Sequence, residues 1–210
     1  MLALSVLAGC QPQQEEWQLV WEENFDQAEH FDEASWSKIP RGRSDWNNYM
    51  SDFDSCYAMR DGNLVLRGLV NYSLPVDTAP FITGGVYTKG KVGFSDGRLD
   101  IRAKLYGATG AWPAFWLLPE NEGWPDGGEI DIMERLNNDT IAYQTVHSAY
   151  TMYWGSKIIR SREEPGRLTA TTIMSTAWKC IGTVSSFLST IPAHLLIPVS
   201  KLTRKDSSRS

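Results

Sequence analysis

Cysteine is scarce in this chain of 210 residues, and its three copies, Cys10, Cys56 and Cys180, leave no room for a disulfide framework. Long apolar runs are missing too. No continuous apolar run reaches the roughly 18 residues of a membrane-spanning helix, so such a span is excluded. Apolar spacing with a 3.6-residue period never lasts beyond two turns, which excludes a helical bundle. Internal repeats and linkers are absent, and a length near 200 suits one domain and rules out two large ones. Basic residues are sparse in the body: residues 1–157 hold 12 Lys or Arg against 22 Asp or Glu, a net −10. A phosphate-binding surface needs clustered cations, so nucleic acid is excluded as the main partner. Acids are what the remainder lacks. Residues 158–210 carry 8 basic and 3 acidic side chains, a net +5, so the overall −5 is a sum of unlike parts.

What is present points to a globular β protein. Hydrophobic residues make up 42% of the chain and aromatics 11%, with nine Trp, too many for a disordered segment. Trp17 to Trp21 reads as a strand, Asn63 to Arg67 as another after an Asp61-Gly62 turn, and Arg98 to Leu105 alternates polar and apolar without a break. Such alternation gives each strand one dry and one wet face. Glycines at Gly84-Gly85, Gly90, Gly93, Gly97 and Gly127-Gly128 punctuate short strands at the spacing of a sandwich. The expectation is a single antiparallel β-sandwich whose C-terminal strands are missing or scrambled.

The chemistry concentrates in Gly128-Glu129-Ile130-Asp131-Ile132-Met133-Glu134. In a regular strand Glu129 and Asp131 share one face while Ile130 and Ile132 point into the core. Glu134 then has the wrong parity and would bring an ionised carboxylate into apolar surroundings, at high cost. A one-residue bulge near Met133 returns it to the acidic face. Three carboxyl groups so crowded cannot all ionise, and at least one must hold its proton. Split carboxylates of this kind suit glycosidic bond cleavage, with one nucleophile or base and one proton donor. On spacing alone a solvated acidic strand edge or a calcium site is the alternative reading. The setting adds aromatics. Ala111-Trp112-Pro113-Ala114-Phe115-Trp116-Leu117-Leu118-Pro119 precedes the acids, with Trp124 between. Indoles stack on the apolar faces of sugar rings, so Trp112, Trp116 and Trp124 are candidate cleft residues, while Trp17, Trp21 and Phe115 read as core.

These segments resemble glycoside hydrolase family 16. The opening WQLVWEENF, the run GGVYTKGKVGFSDGRLDIRAKL at 84–105, the aromatic segment at 111–119 and GEIDIMER at 128–135 match it in order, across about 130 residues. The resemblance implies an all-β, concanavalin A-like jelly roll with a concave sugar-binding sheet, incomplete at its C-terminus. It implies a retaining mechanism in which Glu129 is the nucleophile, Glu134 the general acid/base and Asp131 the carboxylate that orients and tunes Glu129. The extra Met133 resembles the laminarinase-like branch, and His147 matches a position near the cleft, although a structural strand histidine is an equal reading. The expected partner is a polysaccharide or glycan, with β-1,3-glucan favoured. A galactan or host glycan, a non-catalytic carbohydrate-binding domain, and an inactive remnant are the alternatives. The segment Ile39 to Met50, with its Arg and aromatic content, is expected in a substrate loop. No cofactor is expected. Structural calcium is compatible with the fold, with no residues assigned to it, and the domain is expected to be a monomer.

The two ends read differently. Residues 1–10 are apolar and end in Leu7-Ala8-Gly9-Cys10, which resembles a bacterial lipobox. The expectation is a remnant of a lipoprotein signal, its basic leader missing, with Cys10 lipidated. The domain at 11–157 would then sit on the cell envelope by a lipid anchor, or be secreted. In residues 158–210 the alternation stops, and 14 of the last 40 residues are Ser or Thr. Read one base out of register, the codons permitted from Thr171 to Thr190 include the spelling DYNVYGMEMYWDSQFLSFY, in which Trp178-Lys179 forces a Glu. This resembles the family's next strands and predicts a slip of reading frame between His147 and Ile158.

Overall fold

The computed structural model describes residues 17–26, 29–72, 74, 77–153, 172–189, 195–197 and 200–205. Cys10 and the lipobox lie outside them, as do residues 154–171. The strands are β1 (Trp17–Glu23), β2 (Ser37–Lys38), β3 (Tyr57–Met59), β4 (Leu64–Leu66), β5 (Gly68–Val70), β6 (Phe81–Thr83), β7 (Gly85–Tyr87), β8 (Gly93–Leu105), β9 (Ala114–Pro119), β10 (Glu129–Glu134), β11 (Tyr143–His147), β12 (Thr172–Ser189), β13 (Leu195–Ile197) and β14 (Ser200–Lys205). A single short α-helix, α1 (Ala149–Tyr153), follows β11 among the described residues. The expected strands at the N-terminus, around Leu64 and before Leu105 are β1, β4 and β8.

Local chemistry explains the connections. Asp61 and Gly62 both adopt positive φ, 50° and 67°, and Arg60 and Asn63 exchange two backbone hydrogen bonds of 2.9 Å. That is the two-residue hairpin turn whose twist matches the flanking strands, so β3 and β4 pair with Met59 opposite Leu64. Gly84, between β6 and β7, packs so closely that a Cβ there would lie 2.5 Å from the Cys56 carbonyl oxygen. Only glycine fits. Cys56 itself is a buried free thiol, held protonated by its burial, which raises its pKa to about 11.

All the strand ladders are antiparallel. The path β11-β10-β9-β12-β8-β13-β4-β3 is joined by β7 and β2 along β12 and by β14 and β1 along β8. This is the jelly-roll sandwich expected from the sequence. Strands β12 to β14 occupy the segment in which the sequence breaks its pattern; β12 lies between β8 and β9, with Phe187 opposite Trp116. The main core packs Leu99, Ile101, Ala103 and Leu105 of β8 against Leu64 and Leu66 of β4, Phe115 and Leu117 of β9, and Ile132 and Met133 of β10. Phe25 and Trp36, each 1% exposed, close it. Strand β9 separates two layers. Phe115 and Leu117 enter this core, whereas Ala114 and Trp116 face a second cluster with Ile39 and Met50. The site is built on that second face.

Candidate active site

The placement of the acids follows from the register of β10. Ile130 stands opposite Leu117 of β9, and Asp131 opposite Trp116. Then the register shifts by one residue, and Met133 faces Phe115 while Glu134 faces Ala114. The supernumerary residue is Ile132, so Ile132 and Met133, 2% and 3% exposed, both enter the main core. The expected bulge is present, and it turns Glu134 to the same side as Asp131 and Trp116. The bulge is satisfied rather than strained open: Gln144 on β11 donates its side-chain amide to the Ile132 carbonyl at 3.0 Å. Gly128 enters the strand at φ 80°, where a Cβ would also crowd the His147 carbonyl oxygen at 3.1 Å.

The chain after β10 fixes the aromatic side of the site. The Arg135 N–H donates to the Pro113 carbonyl at 3.0 Å, and the Asn137 N–H to the Ala111 carbonyl at 2.8 Å. Arg135 also sends its guanidinium to the carbonyls of Leu105 and Asp139. Trp112 is thus held between two anchored residues, and its indole N–H donates to Glu134 Oε1 at 2.7 Å. Trp46, Trp112, Ala114, Trp116, Glu129, Asp131 and Glu134 line one pocket. Trp46 meets Trp116 edge-on, with ring centroids 5.0 Å apart and planes at 80°.

Electrostatics divide the three acids. Asp131 is 3% exposed, and burial, reinforced by the charges of Glu134 and Glu129 and by a hydrogen bond shared with Glu129, pushes its carboxyl up to about 9. Glu134 is also raised, by burial first; the Trp112 hydrogen bond pulls against that shift and the Glu129 charge adds to it. His147 on β11 lies opposite Glu129, with its Nε2 3.2 Å from Asp131 Oδ2. The contact is not aligned as a hydrogen bond, so Asp131 Oδ2 has no hydrogen-bond partner among the described residues.

Of the residues singled out by sequence, Glu129, Asp131, Glu134, Trp112 and Trp116 meet in the pocket, and His147 adjoins it through Asp131. Trp124 does not line it. It is 51% exposed on the β9–β10 loop. Trp46 was legible only as part of the loop Ile39 to Met50, because its distance in sequence from the acids hides the contact with Trp116. Donor atoms of Glu129, Asp131 and His147 lie within 4.8 Å of one another. Calcium takes about 6–8 oxygens, so this set, with only two carboxylates and an imidazole, fits it poorly. It fits a proton-sharing pair better.

Comparison with known proteins agrees with this architecture. The family description "XgeA-like, catalytic GH16 domain" matches residues 92–183. A keratan-sulfate endo-1,4-beta-galactosidase of Sphingobacterium multivorum is 39% identical over 138 residues, covering 63% of this chain and 32% of that protein. A beta-glucanase of Rhodothermus marinus is 32% identical over 171 residues, covering 73% of this chain and 59% of that protein. The chain thus spans about a third and about three fifths of these relatives. In structure, the laminarinase from Rhodothermus marinus aligns with a TM-score of 0.76 at 21% identity, over 92% of this chain and 99% of that one. The catalytic domain of a Thermotoga petrophila laminarinase gives 0.74 at 22%, over 92% and 100%. These likenesses establish the fold.

The raised carboxyl of Asp131 has a consequence for stability. The folded chain keeps a proton there that the unfolded chain releases above about pH 4. Asp131 therefore favours folding below that pH, and its contribution is lost as pH rises toward 9. Asp131→Asn removes the dependence. Thermal melting followed across pH 4 to 8 should show the variant gaining on the parent as pH rises. A parent that gains on the variant instead contradicts the assignment.

Proposed function

Since the chain belongs to glycoside hydrolase family 16, we propose that it is a retaining, endo-acting hydrolase of β-1,3-linked glucan. The observation that carries this reading is the bulge of β10, which collects Glu129, Asp131 and Glu134 in one Trp-lined pocket with Glu134 disposed to hold a proton.

The chemistry proceeds by two displacements. A glycan unit stacks against the indoles, and a Glu129 carboxylate oxygen attacks the anomeric carbon. The bond to the glycosidic oxygen breaks as Glu134 delivers its proton to that oxygen, so the leaving sugar departs neutral. The product is a covalent glycosyl ester of Glu129. Water then enters, Glu134 takes its proton, and the oxygen attacks the anomeric carbon and frees Glu129. Two inversions leave the configuration unchanged. Asp131, neutral and sharing a proton with Glu129, orients the nucleophile without adding a third charge. The Trp112 N–H fixes Glu134 and limits the rise of its pKa, which suits a group that must both give and take a proton.

Substrate choice within the family rests on two kinds of support. Curated relatives include a glucan endo-1,3-beta-glucosidase A1 of Niallia circulans, 34% identical over 110 residues. The bulged form of the acidic motif points the same way. The test is Glu129→Gln, assayed on laminarin, mixed-linkage glucan, galactan and keratan-type glycan. The parent should release reducing ends from laminarin first and form β-anomeric product by proton NMR. The variant should lose at least about a thousandfold in kcat while still binding laminarin-derived oligosaccharide. Hydrolysis retained by the variant refutes the role of Glu129, and preference for another glycan refutes the substrate.

Two proposals concern the rest of the chain. The first is that Cys10 carries a lipid anchor, read from Leu7-Ala8-Gly9-Cys10; mass spectrometry of the mature N-terminus should find an acylated cysteine, and an unmodified one contradicts it. The second is that the frame slips between His147 and Ile158. It is supported by the change of net charge from −10 to +5 across that boundary. Sequencing the encoding DNA should show out-of-register codons that spell family-like strands; codons that do not end the idea.

A further inference from the structure

The loop before Ser51 carries Trp46 and is built in two tiers. Its base is anchored in the sheet. The Ile39 N–H donates to the Gly85 carbonyl at 2.8 Å, and the Ser51 N–H to the Thr83 carbonyl at 2.9 Å. Ile39 and Met50 are buried beneath it at 3% and 0% exposure. Its tip is self-braced. Gly42 and Asn47 are joined by a 3.0 Å backbone bond, Asn47 and Asn48 both donate to the Ser44 carbonyl, and the Ser44 N–H donates to the Asn47 side chain. This tip presents Trp46, and on its C-terminal side it is joined to the base by the Met50 N–H, which donates to the Asn47 carbonyl at 3.2 Å, and by the Thr83 N–H, which donates to the Tyr49 carbonyl at 2.8 Å.

Arg41 supplies the link from the N-terminal side of the loop and to a neighbouring loop. Its Nε donates to the Met50 carbonyl at 2.9 Å, tying the two ends of the loop together. Its other two nitrogens make a bidentate pair with Asp77 at 2.7 and 2.6 Å. Asp77 belongs to a second loop and is itself held: its Oδ1 accepts from the Ala79 N–H at 3.0 Å, and its carbonyl accepts from the Asn71 amide at 2.7 Å. A fork-on-fork guanidinium–carboxylate pair fixes direction as well as distance, which a lone ammonium does not. The pair also holds Asp77 ionised, below the usual carboxylate range. Arg41 lies in the expected substrate loop, and the structure commits its guanidinium to the protein.

We propose that Arg41 and Asp77 are positioning residues that hold Trp46 against Trp116, and so set the binding of the sugar unit stacked there. The proposal rests on the glucan-hydrolase reading and deepens it. Neither residue touches the reacting atoms. Their loss should therefore weaken binding while leaving the chemical step near its parent rate.

The test is a double-mutant cycle in the whole chain, with KM and kcat on laminarin and the Kd of a laminarin-derived hexasaccharide by calorimetry. Arg41→Ala should raise KM and Kd about five- to tenfold, with kcat changed by less than about twofold. Trp46→Ala should do the same, and adding Arg41→Ala to it should have no further effect, because Arg41 acts through Trp46. Arg41→Lys, which keeps the charge but not the fork, should recover only part of the lost affinity. Equal factors for Arg41→Ala in the parent and in Trp46→Ala overturn the proposal, as does a kcat loss without a change in KM. In those cases the parent still hydrolyses laminarin and the glucanase reading stands. A parent that neither binds nor cleaves it overturns both.

Discussion

An ionised carboxylate in an apolar core is far more costly than a domain's entire margin of stability, and β10 has a core on one side along its whole length. Alternation in a six-residue strand would give that core one of the three acids. The register shift at Ile132 avoids this by burying two consecutive apolar residues, Ile132 and Met133, and returning Glu134 to the face of Glu129 and Asp131. Once the acids are together, their mutual repulsion and burial decide the rest. Asp131 keeps its proton, Glu134 is biased toward keeping one, and the pocket acquires the split protonation that two-step glycosyl transfer needs.

The aromatic wall depends on the same strand. The residues that leave β10, Arg135 and Asn137, hold the carbonyls around Trp112, and Trp112 in turn holds Glu134. Acid and indole are therefore positioned by one continuous piece of backbone. The opposite wall has a different origin. Trp46 comes from a loop far away in sequence, tied to the sheet at its base and, through Arg41, to the loop of Asp77. One wall rests on strand register and the other is tied by an ion pair between loops.

Much of this was legible beforehand because it rests on periodicity. The parity conflict at Glu134 follows from counting residues, and it demands a bulge. Asp61-Gly62 announced its turn as a residue pair suited to positive φ at both positions. The contributions of Trp46, Arg41 and Asp77 were hidden, because nothing in the spacing of loop residues says which loops meet. Trp124 is exposed on the loop between β9 and β10 and does not line the pocket, which its nearness in sequence to Glu129 does not reveal. Family-level resemblance and fold now rest on independent observations, while the change of character after residue 157 is a matter of composition that strand backbone over 172–205 does not explain.

The central claim is that the bulged strand makes Glu129 a nucleophile that becomes covalently glycosylated. The most direct measurement is to treat the protein with a 2-deoxy-2-fluoro β-1,3-glucosyl donor bearing a good leaving group, which slows the second displacement, and to map the labelled peptide by mass spectrometry. A single adduct on Glu129 within Gly128 to Arg135 is the result expected. Label on Glu134 or Asp131, or steady turnover of glucan with no adduct formed at any residue, would contradict the account.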